Sequence, residues 1–159
     1  MSGGVFFPPA EPAEPVEAFK TGYLDKALDN LTEVLDIAEQ QLADLDYDTL
    51  VGTGFSGALV VPALALRLGK AFVLVRKEND GSHHSGRMIG NLGKRWIFVD
   101  DFVSSGTTRR RVRKAVHLSC EDRGWSTEHI GDYLYAWSGM FRQTSWYDAS
   151  DNALVEVDY

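Results

Sequence analysis

The run Trp96-Ile97-Phe98-Val99-Asp100-Asp101-Phe102-Val103-Ser104-Ser105-Gly106-Thr107-Thr108 constrains the fold more than any other part of the chain. Four consecutive apolar residues, two of them β-branched, suit a strand buried on both faces, which a parallel sheet supplies. Two adjacent carboxylates end the strand, and a Ser/Thr/Gly loop leads into a segment of helical character from about Thr107. Hydroxyls, a flexible glycine and the free N–H groups of a helix start then point the same way, a geometry that holds a phosphate dianion. Asp100 and Asp101 would repel that phosphate, so they serve another group. At the carboxyl end of a strand they face a crevice, where paired acids suit the cis-hydroxyls of a ribose or a magnesium ion. A diol clamp a few residues before a phosphate cradle fits a ribose 5-phosphate unit. The plainer alternative is a capped turn, with Ser104 and Ser105 as N-caps, which leaves the coincidence of apolar strand, double acid and hydroxyl loop unexplained.

A chain of 159 residues buries about 68–70% of its unfolded surface, enough for one independent core and too little for two. The expected organisation is an extended arm over residues 1–18, where Pro8, Pro9, Pro12 and Pro15 exclude a regular helix or central strand, and one domain over 19–159. No apolar run reaches the roughly 20 residues of a membrane span, and Met1-Ser2-Gly3-Gly4 lacks the basic start of a signal peptide. Cys120 is the one cysteine, which excludes an internal disulfide and suits a cytoplasmic protein. It reads as a small buried helix residue rather than a catalytic thiol. The net charge of −7 is unevenly spread: residues 67–123 hold 13 of the 16 Lys and Arg but 6 of the 23 Asp and Glu. A basic centre on an acidic protein attracts a compact polyanion and disfavours an extended nucleic-acid backbone. Neither a nucleic acid nor a membrane is therefore expected as partner. Arg109, Arg110, Arg111, Arg113 and Lys114 belong to that centre, or else form an ordinary solvated helix face.

Leu24, Leu28, Leu31, Leu35, Ala38, Leu42 and Leu45 recur at spacings of four and three, predicting one long helix. Val34 and Ile37 widen the stripe, favouring packing on a sheet over a coiled-coil seam. A strand over 48–53 ends in Gly52-Thr53-Gly54-Phe55-Ser56-Gly57, followed by a helix over 58–68 containing Pro62. This G-x-G-x-x-G admits a dinucleotide site, but the next strand, 71–75, ends in Arg76-Lys77 where an NAD site wants an acid for the ribose, although an arginine suits NADP. That reading also leaves the Asp100–Thr108 loop without a role. The alternative is that backbone amides of 53–57 hold a second phosphate group. The segment from Val75 to about Gly93 is polar and aperiodic, as a functional lid would be. His83 and His84 lack the companions of a zinc site. A helix over 109–119, a strand over 129–137 and a short strand over 154–157 complete an open, mainly parallel, twisted α/β sheet flanked by helices. Its ligand would lie at the carboxyl ends of strands near 48–53, 71–75, 95–100 and 129–137.

Asp100–Thr108 resembles the phosphoribosyl pyrophosphate (PRPP) motif of type I phosphoribosyltransferases. Gly52–Gly57, with the following Pro62-Ala63-Leu64-Ala65-Leu66, resembles the pyrophosphate loop of adenine and orotate phosphoribosyltransferases. Arg76-Lys77-Glu78, His83, Gly86 and Gly93-Lys94-Arg95 resemble the catalytic hood loop of the orotate enzymes, except that Asn79 and Asp80 stand where those enzymes usually carry a further lysine. The resemblance spans roughly residues 45–137. It implies ribose hydroxyls on Asp100 and Asp101, the 5-phosphate on Ser104, Ser105, Gly106, Thr107 and Thr108, and pyrophosphate on Thr53, Gly54, Phe55, Ser56, Gly57, Arg76 and Lys77. Mg2+ would enter with PRPP and meet Asp100 and Asp101 indirectly. Arg76, Lys77, Asp100, Asp101 and His83 would form the catalytic set, with His83, His84 or Arg87 replacing the absent lysine. The chain ends imply a small or reduced hood around a nucleobase, and Tyr133, Tyr135, Trp137, Phe141, Trp146 and Tyr147 are either stacking partners for that base or core. Ser104 stands where 6-oxopurine enzymes place an acid, which turns the expectation to orotate or a related pyrimidine. A homodimer is allowed. The competing expectation is a non-catalytic regulator that binds PRPP or a nucleotide; the absent lysine favours it and the retained Arg76 and Lys77 oppose it.

Overall fold

A computed structural model describes residues 25–77, 86–103, 105–135 and 145–148. The arm over 1–18, His83, His84, Ser104, Trp137, Phe141 and the strand expected over 154–157 lie outside the described residues.

The leucine stripe forms two helices rather than one, α1 (Asp25–Asp29) and α2 (Leu31–Leu42). They part at Asn30, whose φ of −129° and ψ of 37° lie outside the helical well, at a residue type that is a weak helix former. Val34, Leu35, Ala38 and Leu42 are buried, so the stripe is core. Leu28 departs from it, 46% exposed and turned to a cavity.

Then follow β1 (Thr49–Thr53), α3 (Gly54–Leu68), β2 (Ala71–Val75), β3 (Met88–Gly90), β4 (Arg95–Asp100), α4 (Thr107–Glu121), β5 (Glu128–Leu134) and β6 (Ser145–Asp148). The sheet order is β3-β2-β1-β4-β5-β6. The four inner strands are parallel, and β3 and β6 are antiparallel edges. The expected open, mainly parallel α/β sheet is the one observed. β3 corrects the expectation of an irregular segment running to Gly93. Three residues are too few to show periodicity, and the pairing is made by the backbone, with Arg76 N donating to Arg87 O and Asn91 N to Phe72 O. β6 was not foreseen, and β5 ends at Leu134 rather than 137. α3 starts inside the glycine run, making residues 54–57 its first turn, and α4 starts at Thr107, where helical character is expected to begin, and runs past 119 to Glu121.

Adjacent residues of one strand face opposite ways, so β1 and β4 feed two cores. Leu50, Ile97 and Val99 meet Val60, Val61 and Leu64 of α3 and Leu35, Ala38 and Leu42 of α2. Val51, Trp96 and Phe98 meet Val112, Val116 and Cys120 of α4. This double coverage is the physical origin of the unbroken apolar run at 96–99. α3 lies directly on β1: a Cβ on Gly57 would stand 2.8 Å from the carbonyl carbon of Gly52. From β1 the chain crosses to β2 through α3, and from β4 to β5 through α4. The crevice where the two windings diverge opens at the carboxyl ends of β1 and β4, where doubly wound sheets bind ligands.

Candidate active site

A cavity of about 690 Å3 occupies that crevice. Its acidic wall is Asp100 and Asp101. Asp100 is only 5% exposed, and its pKa is pushed up to about 7, first by burial and then by neighbouring Asp101, against the pull of a hydrogen bond from Ser56. Ser56 Oγ donates to Asp100 Oδ1 at 2.7 Å, and the Asp101 amide donates to the same oxygen at 2.9 Å. The acid pair is thus tied to the glycine run of α3.

The second wall is the loop entering α4. Ser105, Gly106, Thr107 and Thr108 line the cavity. Gly106 sits at φ 77° and is the N-cap of α4, with no side chain of its own to cap the helix, while the Thr107 amide donates to Ser105 Oγ at 3.4 Å. The positive φ suits glycine, and the missing Cβ leaves the approach to the helix start open. Ser105 Oγ and Thr107 Oγ1 lie 3.0 Å apart. Arg110 leans over the loop, its Nη1 3.2 Å from the point a Gly106 Cβ would take.

The third wall is Thr53, Phe55 and Ser56 with Lys77. The Lys77 side chain crosses Gly54, placing its ammonium at the first turn of α3. Gly57 is buried beneath this turn as the seat of α3 on β1. Arg76 stands outside the cavity wall, its Nη1 3.4 Å from Gly86 O. The remaining end is apolar, formed by Leu28, Leu59, Phe102 and Val103 beside Phe55, a residue 83% exposed. Of the residues singled out from the sequence, the fold brings together Thr53, Phe55, Ser56, Lys77, Asp100, Asp101, Ser105, Gly106, Thr107 and Thr108.

Tyr133 and Tyr135 are fully buried, and Trp146 packs against the core, so these three are not free stacking surfaces. Tyr135 has a different part: its hydroxyl donates to Ser56 O at 2.6 Å. Burial first, then the charges of Asp101 and Asp100, push its phenol up. Arg109 does not belong to a solvated face. It lines the cavity and pairs with buried Asp132 of β5. An acid within the apolar stretch Ile130–Leu134 signalled that a partner was needed, but not which cation would supply it. Among the described residues no group of three or more His, Cys, Asp or Glu converges as a metal cage. The carboxylates of Asp100 and Asp101 in the cavity wall would suit a magnesium ion brought in with a phosphate-bearing ligand, to which they would supply hard oxygen donors indirectly.

Fold and site together define a doubly wound α/β protein with a hydroxyl-lined helix start and a paired acid at its switch point. The same fold is seen in adenine phosphoribosyltransferase from Rhodothermus marinus, with a TM-score of 0.53 at 19% identity over 76% of this chain and 74% of that one. Orotate phosphoribosyltransferase from Aeropyrum pernix matches with a TM-score of 0.50 at 21% identity, over 67% and 61%. In sequence, the chain is 28% identical over 105 residues to an orotate phosphoribosyltransferase of Metarhizium anisopliae, 59% of this chain and 45% of that protein. It is 31% identical over 90 residues to the orotate phosphoribosyltransferase of Methanospirillum hungatei, 54% and 52%. It is 24% identical over 98 residues to the transcriptional regulator GfcR of Methanocaldococcus jannaschii, 57% and 46%. No family model matches. The chain spans about half the length of these curated relatives. In sequence over about half their length, and in fold, the chain is similar to phosphoribosyltransferases.

Proposed function

We propose that the protein transfers phosphoribose from PRPP to a nitrogen of a planar base, releasing pyrophosphate. The observation that carries this reading is one cavity bounded at once by the acid pair, the hydroxyl-lined start of α4 and the start of α3 with Lys77. Asp100 and Asp101 accept the two ribose hydroxyls. Ser105, Thr107, Thr108 and the amides after Gly106 hold the 5-phosphate. The start of α3 and Lys77 hold the pyrophosphate as it leaves, with Arg76 and His83 joining from the adjoining segment and Ser104 completing the phosphate loop. Mg2+, when bound with PRPP, neutralises pyrophosphate charge. No protein nucleophile takes part. Positive charge develops on the ribose and negative charge on the leaving group, so positioning and electrostatics supply the acceleration. The apolar end, with Phe55 and Phe102, suits the faces of a flat base, and orotate or a related pyrimidine is the acceptor to try first.

A second reading, a PRPP- or nucleotide-binding regulator, is favoured by the similarity to a transcriptional regulator and by Asn79 and Asp80 where a lysine is expected. Incubation with PRPP, Mg2+ and a panel of bases, following pyrophosphate release, separates the two. Release with one base and not others supports the transferase; PRPP binding without release on any base replaces it with the regulator. Failure to bind PRPP removes the transferase, and failure to bind a nucleotide as well removes the regulator.

A further inference from the structure

On the sheet face covered by α4, one ion pair stands beside the apolar layer of Val51, Phe98, Val112, Val116 and Cys120, at the opposite side from the contact of Arg111 Nη2 with Thr53 Oγ1 at 3.4 Å. The Asp132 side chain is 1% exposed in β5, opposite Phe98 of β4, and Arg109 projects from the first turn of α4. Arg109 Nε approaches Asp132 Oδ2 at 2.5 Å, yet off the N–H axis, so charge rather than an aligned hydrogen bond holds them. His129 Nε2 lies 2.8 Å from the other carboxylate oxygen, and its ring rests on Trp96 with centroids 4.4 Å apart.

Stability does not explain this pair. Each buried ion loses several kcal/mol of hydration, and replacing such a pair with well-packed apolar residues is often neutral or stabilising. Apolar packing alone leaves the register of α4 weakly specified. Its buried residues Val112, Val116 and Cys120 repeat every four positions, and a ridge of similar small side chains seats in a groove in more than one place. A buried cation on α4 whose counter-charge is fixed in β5 has one favoured seat, the best-attested use of such groups.

We infer that Arg109 and Asp132 are positioning residues that set where the first turn of α4 stands above the sheet. The acid pair ends β4 and is held by the sheet, whereas Gly106–Thr108 travel with α4. The ion pair therefore sets the distance between diol clamp and phosphate cradle. This inference rests on the phosphoribose reading above and adds a specificity to it. Ribose 5-phosphate, whose hydroxyls and phosphate are covalently linked, needs one spacing, while inorganic phosphate needs none.

The test is the double variant Arg109→Met with Asp132→Leu, together with Arg109→Lys, which keeps the charge but not the planar fork. Binding of ribose 5-phosphate and of inorganic phosphate is measured by calorimetry on the full chain, with thermal unfolding alongside. The double variant is expected to keep its Tm and to lose at least about tenfold in affinity for ribose 5-phosphate, with inorganic phosphate unchanged within about twofold. Arg109→Lys is expected to shift the same way, less far, and decides the matter should the double variant not fold. Unchanged ribose 5-phosphate affinity overturns the positioning role, as does an equal loss for both ligands. A parent that binds phosphate but not ribose 5-phosphate overturns instead the phosphoribose reading and the inference resting on it.

Discussion

Asp100 is where the fold acts most strongly on one residue. Its pKa near 7 against an ordinary 3.8 means that the folded state holds the proton more tightly than the unfolded chain. The stability it contributes is therefore full below about pH 4 and is lost as pH rises through about 7. Asp100→Asn removes the charge, so the Tm difference between variant and parent should grow in the variant's favour from pH 5 to pH 8. It should change by several degrees, at about 2–4 °C per kcal/mol in a domain of this size. Ligand binding has the opposite sign, because ribose hydroxyls need an ionised acceptor: ribose 5-phosphate affinity should rise through the same window. Ser56 donates to Asp100 and lowers its pKa, so Ser56→Ala should move the midpoint of that rise to higher pH. The two profiles, measured by calorimetry, check this; coincident midpoints would detach Ser56 from the control of Asp100. The double acid was legible in the sequence, but its partner was not, because Ser56 lies 44 positions away.

At the scale of elements, the contact of α3 with β1 decides how well the first turn of α3 faces the acids. The Gly52–Gly57 approach is backbone against backbone, so a Cβ there cannot be absorbed by a side-chain rotation. Gly57→Ala should destabilise the protein by about 1–3 kcal/mol, the usual cost of overpacking, seen as a lower midpoint in urea unfolding. By lifting Ser56 it should also weaken ribose 5-phosphate binding; wild-type stability would mean that α3 has slack over β1. The glycine run showed that backbone comes close to something, and the fold shows that this something is partly β1 itself. Elements with strong periodicity or sharp punctuation were readable: β1, β2, β4, α3 and α4 fall where the pattern put them, within a few residues. The break at Asn30 was not, because the apolar stripe runs through it. Nor was β3, since an edge of three residues takes its stability from backbone pairing to β2 rather than from a pattern of its own.

For the whole molecule, charge is the governing quantity. A net charge of −7 would repel a sugar phosphate, yet residues 67–123 carry a net +7, and Lys77 and Arg110 of that segment stand at the two walls proposed to hold phosphate. Attraction by exposed cations is screened as the Debye length falls from about 10 Å at 0.1 M salt to about 3 Å at 1 M. Ribose 5-phosphate affinity should therefore decrease steadily as NaCl is raised through this range, which a calorimetric titration series measures. A salt-independent affinity would show that neutral donors alone hold the phosphate.

The sequence by itself determined what is local along the chain: an apolar strand, an acid pair, a hydroxyl loop and a helix start within residues 95–108, whose order follows from backbone preference and side-chain chemistry. That local order also carried the fold class, since a strand buried on both faces needs helices on both. Only the tertiary structure decided which distant groups complete the site. Tyr135 reaches Ser56 across 79 positions, Ser56 reaches Asp100, and Arg109 finds Asp132 beneath the cradle. Those meetings depend on the order of strands in the sheet. Periodicity says that a strand is buried, but not which strand it lies beside, and burial beside a particular neighbour is what raises the pKa of Asp100 and gives Asp132 its partner.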